Sequence, residues 1–303
     1  MKLIKYITAS ILFTLVIIMS ISFLKKEKNI LLVYPGGKYK ALIMSYDDGP
    51  IEDIKLARLF DEYNITGTFN LNSGYLDSTR GWPQKDGSTV YQQYMPKDSM
   101  YVYKNHEIAS HATYHKNFFT IPDDEVLEDV QSDMVNLEKL THSKIKSMAY
   151  PFGNSDPHIA QLISHTGLTN ARTIRDTYKF NLPDSFFLWN PTCHDSKALS
   201  LSDSYLSLSS NKLSVFYVWG HAWELRDKKR WDDMNTFCKR ISNQKDIWYT
   251  GCGAFIDYLL ALKQLKVTKN HIFNPKNNKE VLYTLDGLLK VLKPGESIEA
   301  KMS

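Results

Sequence analysis

From about Tyr39 the chain alternates short apolar runs with helical patterns, and four of those runs stop at polar motifs. Strand, helix and strand in that order is how a βα barrel or a doubly wound parallel sheet reads. Ala41 to Tyr46 is a compact apolar run that ends at Asp47-Asp48-Gly49-Pro50. A helical pattern covers Ile54 to Tyr63, and Gly67-Thr68-Phe69-Asn70-Leu71 is rich in β-formers. Ile145 to Tyr150 runs into Pro151-Phe152-Gly153, and Leu213 to Trp219 ends in Gly220-His221. Together with His111 and His115, these motifs fall at the C-terminal ends of predicted strands, the rim on which barrel enzymes assemble their active sites.

The remaining pattern fills in around this frame. Val126, Val130, Met134, Leu137 and Leu140 recur at helical spacing and predict an amphipathic helix from Pro122 to Leu140. Shorter helices are expected over Ile159 to His165, Asp232 to Ile241 and Ala254 to Leu265. Asn72 to Asn105 shows little periodicity of either kind and reads as a long surface loop or insertion. Its aromatics, Trp82, Tyr91, Tyr94, Tyr101 and Tyr103, either pack on one another or offer faces to sugar rings. Val281 to Leu292 is two apolar runs divided by Asp286-Gly287, a hairpin signal. The predicted division is residues 1–28 as a targeting segment, 29–268 as the barrel and 269–303 as a C-terminal β-hairpin extension.

The segment from Met1 to Leu24 opens with Lys2 and Lys5, runs uncharged from Tyr6 to Leu24, then meets Lys25, Lys26 and Lys28. This is an export signature, a cleaved signal peptide or an uncleaved membrane anchor, and it predicts a periplasmic or extracellular domain. Residues 1–28 carry five lysines and one glutamate, which accounts for the whole formal charge of +4. The rest of the chain is therefore neutral overall and has no basic stripe for nucleic acid; membrane contact is expected only through the N-terminal segment. Cys193, Cys238 and Cys252 are too few and too scattered for a disulfide scaffold or a paired zinc ribbon. A single Cys238–Cys252 disulfide and three unpaired apolar thiols both remain open.

Adjacent carboxylates at Asp47 and Asp48 repel unless a cation or a proton separates them. An Asp-Gly turn explains them without chemistry; alternatively one aspartate ligates a metal while the other acts as base on a water. His111 and His115 stand four apart, a spacing that would bring both imidazoles to one side of a helical turn. Two imidazoles and one carboxylate suit a divalent transition metal, zinc first and cobalt, manganese or nickel as alternatives, and leave positions for water and substrate.

At this point the motifs resemble, in order, those of the polysaccharide deacetylase family, the NodB-homology domain of carbohydrate esterase family 4. Ser45-Tyr46-Asp47-Asp48-Gly49 resembles the first motif, whose first aspartate is the catalytic base and whose second is a metal ligand. Asn105 to His115 resembles the stretch that ends in the two metal-binding histidines, although the usual preceding glycine is absent. Tyr150-Pro151-Phe152-Gly153 resembles the third, whose amide after the proline binds the developing oxyanion, so that Tyr150, Pro151 and Phe152 would face the substrate. Val218-Trp219-Gly220-His221 stands where the last motif supplies the general acid, His221. The resemblance implies a distorted (β/α) barrel, one divalent metal on Asp48, His111 and His115, and hydrolysis of acetyl groups on an N- or O-acetylated glycan.

The departures are specific. The family's arginine two residues before the proline, which orients the base, is Ala149 here, leaving Arg172 or Arg175 to supply that charge. The fourth motif is blurred, with Leu188-Trp189-Asn190-Pro191 and His194-Asp195 as its best counterpart. Trp189, Trp219 and Trp223 are candidate sugar platforms or core residues, and Glu224 is a candidate to bind substrate or orient His221. The rival readings are a non-catalytic glycan-binding protein that keeps the fold and a metal hydrolase of a non-sugar C–N bond. Retention of Asp47, Asp48, His111, His115 and His221 together weighs against the first, and the exported N-terminus against the second.

Overall fold

The computed structural model describes residues 30–299 apart from 85, 210, 269 and 270. The predicted targeting segment, residues 1–28, lies outside the described residues. Among the described residues no helix is long and apolar enough to cross a membrane. The described residues divide into two compact units, Val33–Lys263 and a second that holds residues 30–32 and the described part of 264–299.

In chain order the elements are β1 (Ile30–Val33), β2 (Lys40–Asp48), α1 (Asp53–Glu62), β3 (Gly67–Leu71), β4 (Thr79–Pro83), β5 (Thr89–Gln93) and β6 (Glu107–Ser110). There follow α2 (Asp123–Thr141), β7 (Ser147–Ala149), α3 (Pro157–Ser164), β8 (Asn170–Arg172), β9 (Cys193–His194), α4 (Asp195–Leu206) and β10 (Ser214–His221). The larger unit closes with α5 (Lys228–Ile241), β11 (Ile247–Tyr249) and α6 (Cys252–Lys263). Its 8-stranded sheet runs β8-β7-β6-β3-β2-β10-β9, with β11 also on β2, and the pairings are parallel. The sheet curls into a half-barrel with helices packed on it, as the alternating pattern predicts. The segment from Phe186 to His194 seams its two edges: Ala171 N donates to Phe186 O at one end, and Thr192 N donates to Tyr217 O at the other.

Strand alternation sends each strand's two faces into different surroundings. Leu42, Met44 and Tyr46 join the core that also holds Leu56 and Phe60 of α1, whereas Ala41 and Ile43 face the barrel interior with Val215, Tyr217 and Phe255. On that inner face the side chains turn from apolar to polar toward the strand ends. Ser45 and Asp47 continue the row on β2, and Trp219 and His221 continue it on β10, in a register that sets His221 beside Asp47.

The predicted helix around Val126 forms as α2, with Val126, Val130, Met134 and Leu137 buried and Asp123, Asp124 and Glu125 in its first turn, where acids favour the helix dipole. Asp133 lies on the same buried stripe and accepts from Ser110 Oγ at 2.6 Å and Ser73 N at 2.7 Å, tying the helix to the end of β6. Burial pushes the Asp133 carboxyl up to about 7. The 72–105 stretch is not a structureless loop: it folds the β4–β5 hairpin and a short helical turn over Lys97–Tyr103. α4 is a helix that the sequence reading left out, its polar serines masking the buried Ala198, Ser202 and Tyr205. Cys193, Cys238 and Cys252 are buried free thiols, so the Cys238–Cys252 disulfide does not form.

In the smaller unit, β14 (Val281–Leu285) and β15 (Leu288–Leu292) pair antiparallel after β12 (Lys266–Val267) and β13 (His271–Phe273). Asp286 (φ 50°) and Gly287 (φ 83°) both sit in the left-handed region, the conformation that an Asp-Gly hairpin turn requires. A final strand, β16 (Ser297–Glu299), pairs with β13.

Candidate active site

At the C-terminal end of β2 the chain leaves the sheet through Asp48 (φ 78°) and Gly49 (φ 67°). A left-handed aspartate is uncommon and turns its side chain away from the strand row that holds Asp47. Asp47 and Asp48 therefore serve different neighbours. Asp48 Oδ1 stands 3.6 Å from His111 Nε2 and 3.7 Å from His115 Nε2, while its Oδ2 accepts from Trp223 Nε1 at 3.0 Å.

The two histidines meet for a different reason than helical spacing predicts. Residues 111–117 form no helix, and the chain turns through Ala112 (φ 61°) and His115 (φ 51°), which folds His115 back over His111 with ring centroids 4.7 Å apart. His111 Nδ1 lies 2.8 Å from Ala149 O, an acceptor only, so Nδ1 carries the proton and Nε2 presents its lone pair toward Asp48. Burial and the neighbouring His111 hold the His115 imidazole down, to about 4, so it is neutral near pH 7.

Asp48, His111 and His115 fit a divalent metal. Their donor atoms lie within 4.8 Å of one another, and the oxygen-to-nitrogen gaps are too wide for hydrogen bonds. Donors at about 2.0–2.1 Å from a tetrahedral ion stand roughly 3.3–3.4 Å apart, close to what these three present.

Asp47 is buried at 2 % exposure and accepts at Oδ1 from Asn70 Nδ2 (2.8 Å) and Arg172 Nη2 (2.6 Å), while Arg172 also holds Oδ2. Burial alone would raise its carboxyl, but the Arg172 charge, helped by His111 and His221, carries it below its ordinary value. Arg172 is the answer to Ala149. The two are register partners on the neighbouring strands β7 and β8, so the guanidinium enters the barrel interior from one strand over. It is held there by Thr173 O at 3.0 Å and by the Trp219 ring, 4.9 Å from Cζ to centroid. Arg175 is exposed and does not reach Asp47.

His221 ends β10, with its ring 5.0 Å from that of Trp223 and its Nδ1 3.5 Å from Glu224 Oε1. Burial works against its charge, yet Glu224, Asp48 and Asp47 outweigh that and push it up to about 9. Glu224 is itself gripped on its other oxygen by His194 Nε2 at 2.8 Å. Asp195 follows, buried between Arg230 (2.5 Å) and the Tyr46 hydroxyl (3.2 Å). Gly220 allows this packing, since a Cβ there would stand 2.8 Å from the Asp195 carboxyl.

Asp47, Asp48, His111, His115, Tyr150, Phe152, Trp219 and His221 all line one cleft of about 510 Å³. Phe152 (φ 58°) is half exposed and sets its ring 4.3 Å from His115. Three of the expected substrate contacts fall elsewhere. Trp189 is 2 % exposed and stacks on Phe255 in the barrel interior, so it is core and no sugar platform. Pro151 is buried beneath the turn, and Glu224 addresses His194 and His221 rather than the cleft. Trp219 does line the cleft, but it also packs on Arg172 and donates to Asp176 at 2.8 Å. Asn70 and the His194–Glu224 link were not singled out from sequence; Asn70 was legible only as a polar residue on the inner row of a buried strand.

The fold and the site together define a deacetylase-type barrel. Residues 31–171 match the model of the family described as polysaccharide deacetylase. A Mycobacterium smegmatis protein named as a polysaccharide deacetylase superposes with TM-score 0.54 at 16% identity, covering 77% of this chain and 94% of that one. A family 4 carbohydrate esterase from Streptomyces lividans, solved with acetate, gives 0.44 at 10% identity over 69% of this chain and 90% of its own. A family 4 pseudoenzyme from Bacillus anthracis gives 0.43 at 14% identity over 70% and 63%. The likeness in fold rests on the first of these. No curated protein matches the sequence. Over residues 31–171 the chain is similar to the polysaccharide deacetylase family.

Proposed function

We propose that the protein is a metal-dependent hydrolase that removes acetyl groups from an N- or O-acetylated polysaccharide or oligosaccharide outside the cytoplasmic membrane. The observation that carries this reading is the division of labour between neighbouring aspartates: Asp48 faces His111 and His115, while Asp47 faces Arg172 and Asn70. Asp48, His111 and His115 would hold the ion, zinc being the preferred one. When bound, it supplies Lewis-acid polarisation of the acetyl carbonyl and a water of lowered pKa.

The chain's own residues do the rest. Asp47, ionised and fixed by Arg172, takes the proton of the attacking water. The Phe152 amide donates to the oxygen on which charge develops. His221, kept protonated by Glu224 and the two aspartates, gives a proton to the departing amine or alkoxide. The loss of the family arginine at Ala149 is the main argument for a non-catalytic glycan-binding protein, and the bond from Arg172 to Asp47 supports the catalytic reading against it.

Paired substitutions test the assignment. Asp47→Asn should keep the metal and lose about 10² to 10⁴ in turnover, the usual worth of a positioned base. Asp48→Asn should lower metal content and turnover together, because a neutral amide is a poorer ligand. An Asp47→Asn protein that turns over at the parental rate, or an Asp48→Asn protein with full metal occupancy, defeats it.

A further inference from the structure

The β4–β5 hairpin is exposed almost throughout, yet one of its faces looks into the cleft that holds Asp47 and His221. Its register pairs Trp82 with Val90 and Arg80 with Gln92, and the period of two puts these four side chains on the same face. Trp82, Val90 and Gln92 all line the cleft, and Trp82 and Val90 remain 36% and 45% exposed. Apolar groups of this size, cross-strand neighbours on the hairpin face that looks into the cleft, with the Tyr75 ring edge-on to Trp82 at 6.4 Å, are where a ligand surface is expected.

The tryptophan is also fixed. Trp82 Nε1 donates to Tyr94 Oη at 3.2 Å, so the indole's hydrogen-bonding edge is committed and its ring face is what remains to offer. Beside it Gln92 is clamped, with Oε1 accepting from Arg226 (2.6 Å) and Nε2 donating to Glu52 (3.1 Å) and to Gln93 O (2.7 Å). Arg226 in turn donates to Glu52 at 2.6 Å, which ties the hairpin to the segment that follows His221. An aromatic face anchored through its Nε1 and bordered by amide and guanidinium groups matches a pyranose ring, whose C–H face is apolar and whose rim is hydroxyl.

We propose that this hairpin face is a glycan subsite: Trp82 stacks on a sugar ring adjacent to the one at Asp47 and His221, so the protein reads a chain of linked sugars rather than a single ring. The inference rests on the glycan reading above and deepens it. The occupant is a neutral polysaccharide chain, since Arg226, the cation of this face that lines the cleft, is paired with Glu52, and Arg80 lies over the Tyr75 ring, outside the cleft lining.

The test is calorimetric binding of β-1,4-linked glucose and xylose oligomers of increasing length, which are uncharged, carry no acetyl group and separate binding from turnover. For at least one series the parent should bind the trimer or longer oligomers at least about tenfold tighter than the monosaccharide, and Trp82→Ala should lose that gain, a change of ~1.4 kcal/mol in line with aromatic stacking. Trp82→Phe, which keeps a ring, should retain part of it, while unchanged unfolding of Trp82→Ala would show that the fold is intact. Affinity that does not grow with chain length in either series, or that grows equally in Trp82→Ala, overturns the subsite. Absence of acetate release with length-dependent, Trp82-dependent binding would instead defeat the deacetylase reading and leave the subsite standing.

Discussion

Removing the Arg172 guanidinium should unfold the protein more readily than any single cut of comparable size on its surface. Arg172→Met keeps the aliphatic stem and leaves Asp47, at 2 % exposure, with Asn70 as its remaining polar side-chain partner. Stripping one member from a buried ion pair costs about 3–5 kcal/mol, roughly a fifth or more of the 5–15 kcal/mol stability of a typical domain. The pair's dependence on pH has a definite sign. The folded Asp47 carboxyl lies below its ordinary 3.8, so its contribution is present above that value and disappears as pH falls through the lower, folded one. In Arg172→Met the carboxyl should rise, and stability and turnover should both fall off at a higher pH than in the parent. Urea unfolding of the parent, Arg172→Met, Asp47→Asn and the double variant forms a cycle, and the double variant should regain much of the loss because no charge is left orphaned. Ala149→Arg in the Arg172→Met background returns a guanidinium to the register partner and should restore part of both properties. An Arg172→Met protein within about 1 kcal/mol of the parent, or equally destabilised with and without Asp47, refutes the claim that this charge holds the base.

Other outcomes follow from the same geometry. His221, pushed up to about 9, should keep turnover high through neutral pH and let it fall above about 9, and Glu224→Gln should draw that alkaline limb down toward the ordinary 6.5 in a pH–rate profile. By the same linkage the Glu224–His221 pair should stabilise the fold fully between about pH 4.5 and 6.5, and lose that contribution as pH rises through about 9 or falls toward the depressed Glu224 value, which melting curves of the parent and Glu224→Gln would show. His194→Ala, which removes the 2.8 Å partner of Glu224, should shift the limb in the same direction by less. Cell fractionation with protease accessibility should find the domain outside the cytoplasmic membrane; full-length protein soluble in the cytoplasm would contradict export.

The inner rows of β2 and β10 were legible because period-two alternation and the polar ends of apolar runs are local properties. The Asp286-Gly287 hairpin was legible for the same reason. The pairing of His111 with His115 was found for the wrong cause, since two left-handed residues in a loop, not a helical turn, bring them together. Arg172 could be named as a candidate but not chosen over Arg175, because its reach to Asp47 depends on the curl of the sheet and on a cross-strand register with Ala149. Trp189 shows the opposite failure. Its composition suits a sugar platform, and only the seam between β8 and β10 decides that its ring turns inward onto Phe255. The hairpin at Thr79–Gln93 was hidden by weak alternation, its faces being set by the cleft rather than by a core.

The central claim is that Asp48, His111 and His115 hold a divalent ion with which Asp47 and His221 hydrolyse an acetyl group. Acetate release from a panel of N- and O-acetylated glycans tests it most directly, measured on metal-loaded protein, after chelation and after zinc is restored. The account predicts acetate from at least one glycan, its loss on chelation and its return with zinc in the parent but not in Asp47→Asn. Acetate release that survives complete removal of the metal, or none from any acetylated glycan by the loaded parent, would contradict it.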